Sequence, residues 1–198
     1  MKVLVACEYS GRVRDAFIAK GHDAISCDLL PTDVPGPHYQ GDVLELIRRE
    51  SFDLMVAHPP CTYLCSSGLH WNNRVPGRAE KTEEALEFVR ALLFCGIPKI
   101  ALENPQGCIG TRIRKSDQVI QPWQFGHDAS KSTHLWLKGL PPLRPTSTIE
   151  PRLVDGKKRW ANQTDSGQNR LGPSEDRWKI RSETYAGIAE AMASQWGG

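Results

Sequence analysis

The segment from Phe52 to Ala57 is an apolar run containing one Asp, and it leads directly into His58-Pro59-Pro60-Cys61. Two prolines cannot continue a β-ladder and do not open a regular helix, so a strand through this segment has to stop there. The stiff backbone places the Cys61 thiol at the carboxyl end of that strand. In an open α/β sheet this edge is where ligands bind, and a cysteine held there has the position of a nucleophile. A half-buried structural thiol is the plain alternative.

Upstream, Lys2 to Cys7 reads as a buried first strand and Glu8-Tyr9-Ser10-Gly11 as the turn out of it. Val13, Ala16, Phe17 and Lys20 recur at helical spacing, with Gly21 as a C-terminal cap. His22 to Cys27 is predicted to be a second strand, ending at Asp28. Strand, glycine-bearing turn, helix, strand, acid is the layout of a nucleotide-binding βαβ unit, whose acid accepts hydrogen bonds from ribose hydroxyls. This turn has a single glycine, and an Asp opening a polar loop is the ordinary alternative for Asp28.

Pro31 to Tyr39 is a Pro-rich loop without a period. Gly41-Asp42-Val43 opens a short helix over Val43 to Arg49, in which Asp42 is either a plain N-cap or a ligand-facing acid. Beyond Cys61, Thr62 to Arg78 has the Ser, Gly and Asn content of a mobile loop over a site. Glu80 to Cys95 is an amphipathic helix with Ala85, Phe88, Val89, Leu92 and Leu93 on one stripe. Lys99 to Leu102 is a second short buried strand that runs into Glu103-Asn104-Pro105.

Farther on, Ile113 to Trp123 reads as helical and Thr133 to Leu137 as a strand. Leu140 to Lys179 is an irregular insertion with one strand near Trp160. A last helix carries Tyr185, Ile188, Ala189, Met192 and Trp196, with Ser182 or Thr184 as its cap. The 198 residues fill one core and are too few for two comfortable domains.

Composition excludes some classes. No apolar run approaches the roughly 20 residues of a membrane span, and no signal segment is visible, so a cytoplasmic protein with no membrane partner is expected. Six cysteines without a CxxC read as reduced thiols rather than a disulfide framework. The net charge is +2, yet Lys138 to Arg181 carries ten Lys/Arg against five Asp/Glu. That segment is either a phosphate-contacting surface or a solvated polar region.

A thiol and a carboxylate at strand ends, beside a nucleotide-type unit, suit one reaction in particular. A thiolate adds to an electron-poor ring carbon while a carboxylic acid holds the ring nitrogen and stabilises the developing charge. Methylation of a pyrimidine at C5 needs both, because C5 becomes nucleophilic only after sulfur has added at C6.

Pro60-Cys61 after the fourth strand and Glu103-Asn104 after the fifth resemble the Pro-Cys and Glu-Asn signatures of the DNA cytosine-5 methyltransferases, in particular small phage or prophage members. Cys7 to Gly11 sits at that family's first S-adenosylmethionine motif, Asp28 at its ribose-binding acid, and Gly41-Asp42-Val43 at its adenine-contacting segment. Phe125-Gly126 to Trp136 resembles the stretch that supplies basic residues near the target base, and Arg181 to Trp196 the terminal cofactor-side helix. The resemblance implies a Rossmann-like S-adenosylmethionine-dependent methyltransferase fold, a mixed, mostly parallel sheet with helices on both faces.

It also implies roles. Cys61 would be the nucleophile, Glu103 the group that holds and protonates the ring, and Asn104 its positioning neighbour. Cys7, Glu8, Tyr9, Ser10, Gly11, Asp28, Leu29, Asp42, Val43, His58, Pro59 and Ser182 fall on the cofactor side. Pro60, Ser66, Lys131 and His134 fall on the substrate side. The sequence departs from the pattern in lacking the first motif's run of glycines and in having Lys131 and His134 where arginines are usual. Only Lys138 to Arg177 stands in place of a target-recognition domain, below the size that folds unaided. The expected partner is therefore DNA, duplex or single-stranded, or a free deoxycytidine nucleotide.

Three rivals remain at this stage. His58-Pro59-Pro60-Cys61 overlays the Asp-Pro-Pro-Tyr signature of amino-methylating enzymes, although Cys61 is a poor base stacker and Glu103-Asn104 has no role there. His58, Cys61, Cys65 and His70 offer two sulfurs and two nitrogens to zinc, at atypical spacing. A catalytically silent module holding nucleic acid through the basic insertion is the third.

Overall fold

Alternate residues of the first strand face opposite ways, and both faces are buried. Val3 and Val5 belong to one apolar cluster, Leu4 and Ala6 to the other. A strand covered on both sides reads as a continuous apolar run, as this one does. The computed structural model describes residues 1–175 and 177–198. Its first half runs β1 (Lys2–Ala6), α1 (Arg12–Ala19), β2 (Asp23–Asp28), β3 (His38–Gln40), α2 (Val43–Arg49) and β4 (Leu54–Ala57). Then come α3 (Ser66–Leu69), α4 (Arg78–Leu93), β5 (Lys99–Asn104), α5 (Ile109–Arg112), β6 (Gln118–Ile120) and β7 (Thr133–Lys138). A small hairpin of β8 (Arg152–Val154) and β9 (Lys157–Arg159) precedes α6 (Arg177–Ser182) and α7 (Ala186–Trp196).

Seven strands form one sheet in the order β3-β2-β1-β4-β5-β7-β6. The pairs from β3 to β5 are parallel, whereas β7 runs antiparallel to both β5 and β6. One face carries α1 and α7, whose Val13, Phe17, Ile188, Met192 and Trp196 pack on Val3, Val5, Leu54 and Val56. The opposite face carries α2 and α4, with Leu46, Leu86, Val89 and Leu92 on Leu4, Met55, Ile100 and Leu102. Each fully buried Leu or Ile contributes roughly 1.5–3 kcal/mol of transfer free energy. The chain leaves β1 toward β2 on one side and later returns to β4 on the other. That reversal opens a crevice at the carboxyl ends of β1 and β4, the place where such sheets bind ligands.

Several expectations are corrected. Ile113 to Trp123 is not a helix: α5 ends at Arg112, Gln118–Ile120 is strand β6, and Pro122–Gln124 is a 3-10 turn. Ile120 is drawn into the sheet core instead, through the pairing of β6 with β7. The Pro-rich loop ends earlier than read, since His38–Gln40 pairs in parallel with β2. Thr62 to Arg78 is anchored rather than a free loop. Leu64 is fully buried, α3 and a 3-10 turn over His70–Asn73 occupy the segment, and buried Thr82 donates to the Tyr63 carbonyl at 3.0 Å. The last helix has Tyr185 as its N-cap without a side-chain cap bond, so neither Ser182 nor Thr184 plays that part. The stripe of α4 includes Leu86, which the sequence reading passed over. The insertion holds the β8–β9 hairpin near Trp160, whose ring stacks on Trp123 at 5.6 Å.

Candidate active site

Parallel pairing of β1 with β4 and of β4 with β5 brings three strand ends together. The register sets Ala57 opposite Leu102, so the next residues, His58 and Glu103, stand side by side, with Glu103 still paired to Leu135 of β7. His58 N–H donates to the Ala6 carbonyl at 2.9 Å and extends the β1–β4 ladder by one step. Pro59 and Pro60 then turn the chain away. Asn104, almost wholly buried, donates from Nδ2 to the Pro59 carbonyl at 2.8 Å and clamps this turn to the end of β5. The Cys61 carbonyl accepts from the N–H groups of Leu64 and Cys65, each at 3.0 Å, which closes the turn behind the cysteine.

These groups line a cleft of about 120 Å3 together with Cys7, Glu8, Tyr9, Ser10, Pro105 and Lys131. Arg181, Ser182, Glu183 and Thr184 close it from the far end of the chain. The structure thus brings together Cys61, Glu103, Asn104, Pro60 and Lys131 with His58, Pro59, Ser182 and the Cys7–Ser10 turn. It does not bring in Ser66, whose hydroxyl donates to the Gln106 carbonyl, or His134, which is bonded to Ser116 and stacked on Trp136. Both had been expected on the substrate side.

Charge at the site is set by three groups. Burial pushes the Glu103 carboxyl up, but the His58 hydrogen bond, the Lys131 ammonium and the His58 ring outweigh it, so its net shift is downward. The Cys61 thiol is pushed up, first by burial and then by Cys65 and Glu103, with Lys131 opposing. A thiol so placed is protonated at neutral pH and must lose its proton during reaction. Lys131 Nζ is held near both by donating to the carbonyls of Arg181 at 2.8 Å and Glu183 at 3.4 Å.

The first turn explains why one glycine suffices. Cys7 sits in the left-handed region at φ 58°, a conformation rare for a non-glycine residue and associated with functional sites. Glu8 Oε1 accepts from the Val13 N–H at 2.8 Å and from the Ser10 hydroxyl at 3.2 Å; Oε2 accepts from the Arg14 N–H at 3.2 Å. The N-terminus of α1, an anion site in dinucleotide-binding folds, is therefore filled by the protein's own carboxylate. Gly11, at φ 73°, passes between Val34 and the Arg14 side chain, where a Cβ would collide with both.

Asp28, the last residue of β2, and Asp42, at the start of α2, lie near Cys7 but outside the cleft. One oxygen of Asp28 accepts from Leu30 N–H at 2.9 Å, and one oxygen of Asp42 caps α2 through Leu44 N–H at 2.8 Å. Leu29 is 75% exposed beside them. Val43 is corrected: its side chain is buried in the core and offers a ligand only backbone. Arg14 was not foreseen. Its guanidinium is fully buried and fans out to Ser26, Thr32 and the carbonyls of Val34, Pro35 and Pro37, holding the loop after Asp28 in place. The segment Arg181 to Trp196 was expected on the cofactor side with Ser182 named in it; Arg181, Glu183 and Thr184 were not singled out, because only folding brings the end of the chain back to the Cys7–Ser10 turn. Tyr9 Oη and Ser182 Oγ, 2.7 Å apart, fasten that return.

The donor set fits S-adenosylmethionine. That cofactor has no phosphate, so a filled α1 terminus does not obstruct it. Its sulfonium and ammonium suit the acids Asp28 and Asp42 near the strand ends, and Leu29 offers apolar contact to an adenine. The cleft proper is below the roughly 300–1,000 Å3 of whole-ligand cavities and suits the reacting groups alone. The zinc reading is not supported: among the described residues no three His, Cys, Asp or Glu are arranged to hold a metal ion. His58 is engaged by Glu103, and Cys65 Sγ by Ser67 Oγ.

Neither a family model nor a curated protein matches this chain. Among solved structures it is similar to a candidate DNA modification methyltransferase encoded within an Escherichia coli prophage. The identity is 13% and the TM-score 0.50, covering 78% of this chain and 53% of that one. It is also similar to a methyltransferase of Entamoeba histolytica, with 15% identity and a TM-score of 0.49, covering 76% of this chain and 58% of the other. The chain spans little more than half the length of either. The strand order with its antiparallel β7, together with the first of these likenesses, identifies the fold as the Rossmann-like fold of S-adenosylmethionine-dependent methyltransferases.

Proposed function

We propose that this protein transfers a methyl group from S-adenosylmethionine to C5 of a cytosine in DNA through a covalent Cys61 adduct. The observation that carries the reading is the convergence of Cys61 and Glu103 on one cleft at the sheet's switch point, with Lys131 acting electrostatically on both. The neighbour encoded in a prophage is named for DNA modification, which agrees with a DNA substrate.

Cysteine and carboxylate divide the chemistry. The Cys61 thiol gives up its proton to solvent, the ionised Glu103 takes one up, and the Cys61 sulfur forms a bond to C6, breaking the C5–C6 π bond. The displaced electron pair makes C5 nucleophilic, while Glu103 in its acid form gives a proton to N3 and accepts from the exocyclic amine with its other oxygen. The cofactor, when bound, supplies an electrophilic methyl group on a positively charged sulfur. Once C5 carries the methyl, N3 returns its proton to the Glu103 carboxylate and the C5 proton passes to solvent water, which restores the C5–C6 double bond and expels the Cys61 sulfur as thiolate. Lys131 favours the thiolate and steadies the negative charge passing through the ring. A base in duplex DNA has to leave the stack to reach this cleft.

A second substrate, a free deoxycytidine nucleotide, is favoured by a separate observation. Between Lys138 and Arg177 the described residues form only the β8–β9 hairpin and its flanking turns, without a core of their own. Arg181 and Lys131 at the cleft would then meet the nucleotide's phosphate.

The test is transfer of labelled methyl to duplex DNA, single-stranded DNA, RNA, dCMP and dCTP, with Cys61→Ala in parallel. Label recovered as 5-methylcytosine from one substrate, and absent with the variant, is the expected result. Label recovered on an exocyclic amine would replace the C5 reading by amino-methylation. Tight DNA binding unchanged in Cys61→Ala, with no transfer anywhere, would replace it by a silent binding module.

A further inference from the structure

His58 has the surroundings of a working residue rather than of a filler. Its Nδ1 lies 3.0 Å from Glu103 Oε2. The side chain is 9% exposed, and Nε2 is buried without a hydrogen-bond partner among the described residues. Its backbone is pinned by the Ala6 carbonyl, and the following residue by Asn104. The ring therefore has little freedom to swing away from the carboxyl.

The two ring nitrogens can be assigned by what surrounds them. A carboxylate facing Nδ1 accepts, so Nδ1 carries the proton. A proton on Nε2 as well would bury an unpaired, charged N–H, which costs more than leaving a lone pair there. The titratable and charged groups that share the cleft are Glu103, Lys131, Cys61, Cys7, Glu8, Tyr9, Arg181 and Glu183. None of them is bonded to Nε2.

We propose that His58 is a positioning residue for Glu103, held neutral with its proton on Nδ1, so that Oε2 stays an acceptor, shared by His58 and the exocyclic amine, and Oε1 is the oxygen that carries the acid proton to N3. This rests on the proposed cytosine chemistry for its consequence, though not for its resting state. A carboxylic acid can sit on N3 and the exocyclic amine in either of two flipped arrangements. With His58 donating to Oε2, the proton that Glu103 gains goes to Oε1 and points at the ring nitrogen.

The resting state is read directly by nitrogen NMR of the full-length protein with labelled histidine, compared with His58→Asn to assign the signal. The expected signature at pH 7 is one histidine with a protonated Nδ1 and a bare Nε2, which shifts to the other tautomer in Glu103→Ala. An imidazolium at pH 7, or a protonated Nε2 that Glu103→Ala leaves unchanged, overturns the proposal. The consequence is read by methyl-transfer kinetics. His58→Asn places an amide N–H near the Nδ1 position and is expected to keep kcat within about tenfold, whereas His58→Ala loses about 100-fold. Circular dichroism reports whether each variant is folded. Equal kcat loss in the two folded variants overturns the proposal as well. If the wild-type protein methylates no cytosine substrate, the proposed function falls while the NMR result still decides the histidine assignment.

Discussion

The amide of Asn104 donates to the carbonyl of Pro59 at 2.8 Å, and through it the last residue of β5 holds the turn that presents Cys61. Asn104 is 1% exposed, so the carbonyl it serves has no solvent to fall back on. Asn104→Ala leaves that acceptor unpaired and is expected to cost about 1–3 kcal/mol of stability, measured by urea unfolding. The loss in methyl transfer should exceed the loss in stability, because the Cys61 turn is released from β5. An Asn104→Ala protein with unchanged kcat would show that the clamp does not position the cysteine.

Cys61 is the most exposed of the six free cysteines by class, yet its thiol is pushed above its ordinary value by burial, Cys65 and Glu103. Alkylation by iodoacetamide should therefore be slow at pH 7 and rise with pH through and beyond 9, the ordinary thiol value. Lys131 opposes the shift, so Lys131→Met should move the alkylation midpoint to still higher pH. Peptide mass spectrometry follows Cys61 separately from Cys27, whose thiol is pushed up to about 12, first by burial.

Glu103 has a folded pKa below its ordinary 4.5 despite its burial. The ionised carboxyl is thus favoured in the folded state, and its contribution is fully present above 4.5. It is lost as the pH falls from there through the depressed folded value. In Glu103→Gln this acid-side loss should be missing, so the difference in melting temperature between wild type and variant narrows as the pH drops. A difference that stays constant from pH 6 to pH 3 would show that the carboxyl has no such shift.

Arg14 ties α1 to the loop after Asp28 through two hydroxyl-bearing side chains, Ser26 and Thr32, and three backbone carbonyls. Lysine has three donors on a point charge and cannot reproduce that fan. Arg14→Lys should destabilise the fold by about 1–3 kcal/mol, since buried Ser26 and several part-buried acceptors lose their donor. S-adenosylmethionine binding should weaken with it, because Asp28 and Leu29 are carried by the same loop. Calorimetry at a temperature where the variant remains folded separates the two effects.

How much of this protein can be read from the chain is decided by the range of the forces involved. The end of β4, and the placing of Cys61 just beyond it, were legible because prolines and short apolar runs act locally; β5 runs two residues past the expected Leu102, because Glu103 and Asn104 pair with β7. Helix α2 was legible to the residue, because Asp42 caps it through its immediate neighbours. Strands β3 and β6 were not, since three residues carry no period, and only pairing with β2 and β7 makes them strands. Cys61 and Glu103 could be named as reactive groups from sequence, but their surroundings could not. The His58–Glu103 contact spans 45 positions and exists because the sheet register sets Ala57 against Leu102. The return of Arg181–Thr184 over β1 depends likewise on where α7 packs. Local backbone chemistry determined which groups stand at the strand ends. The cooperative register of the sheet, which no single residue encodes, decided which of them meet.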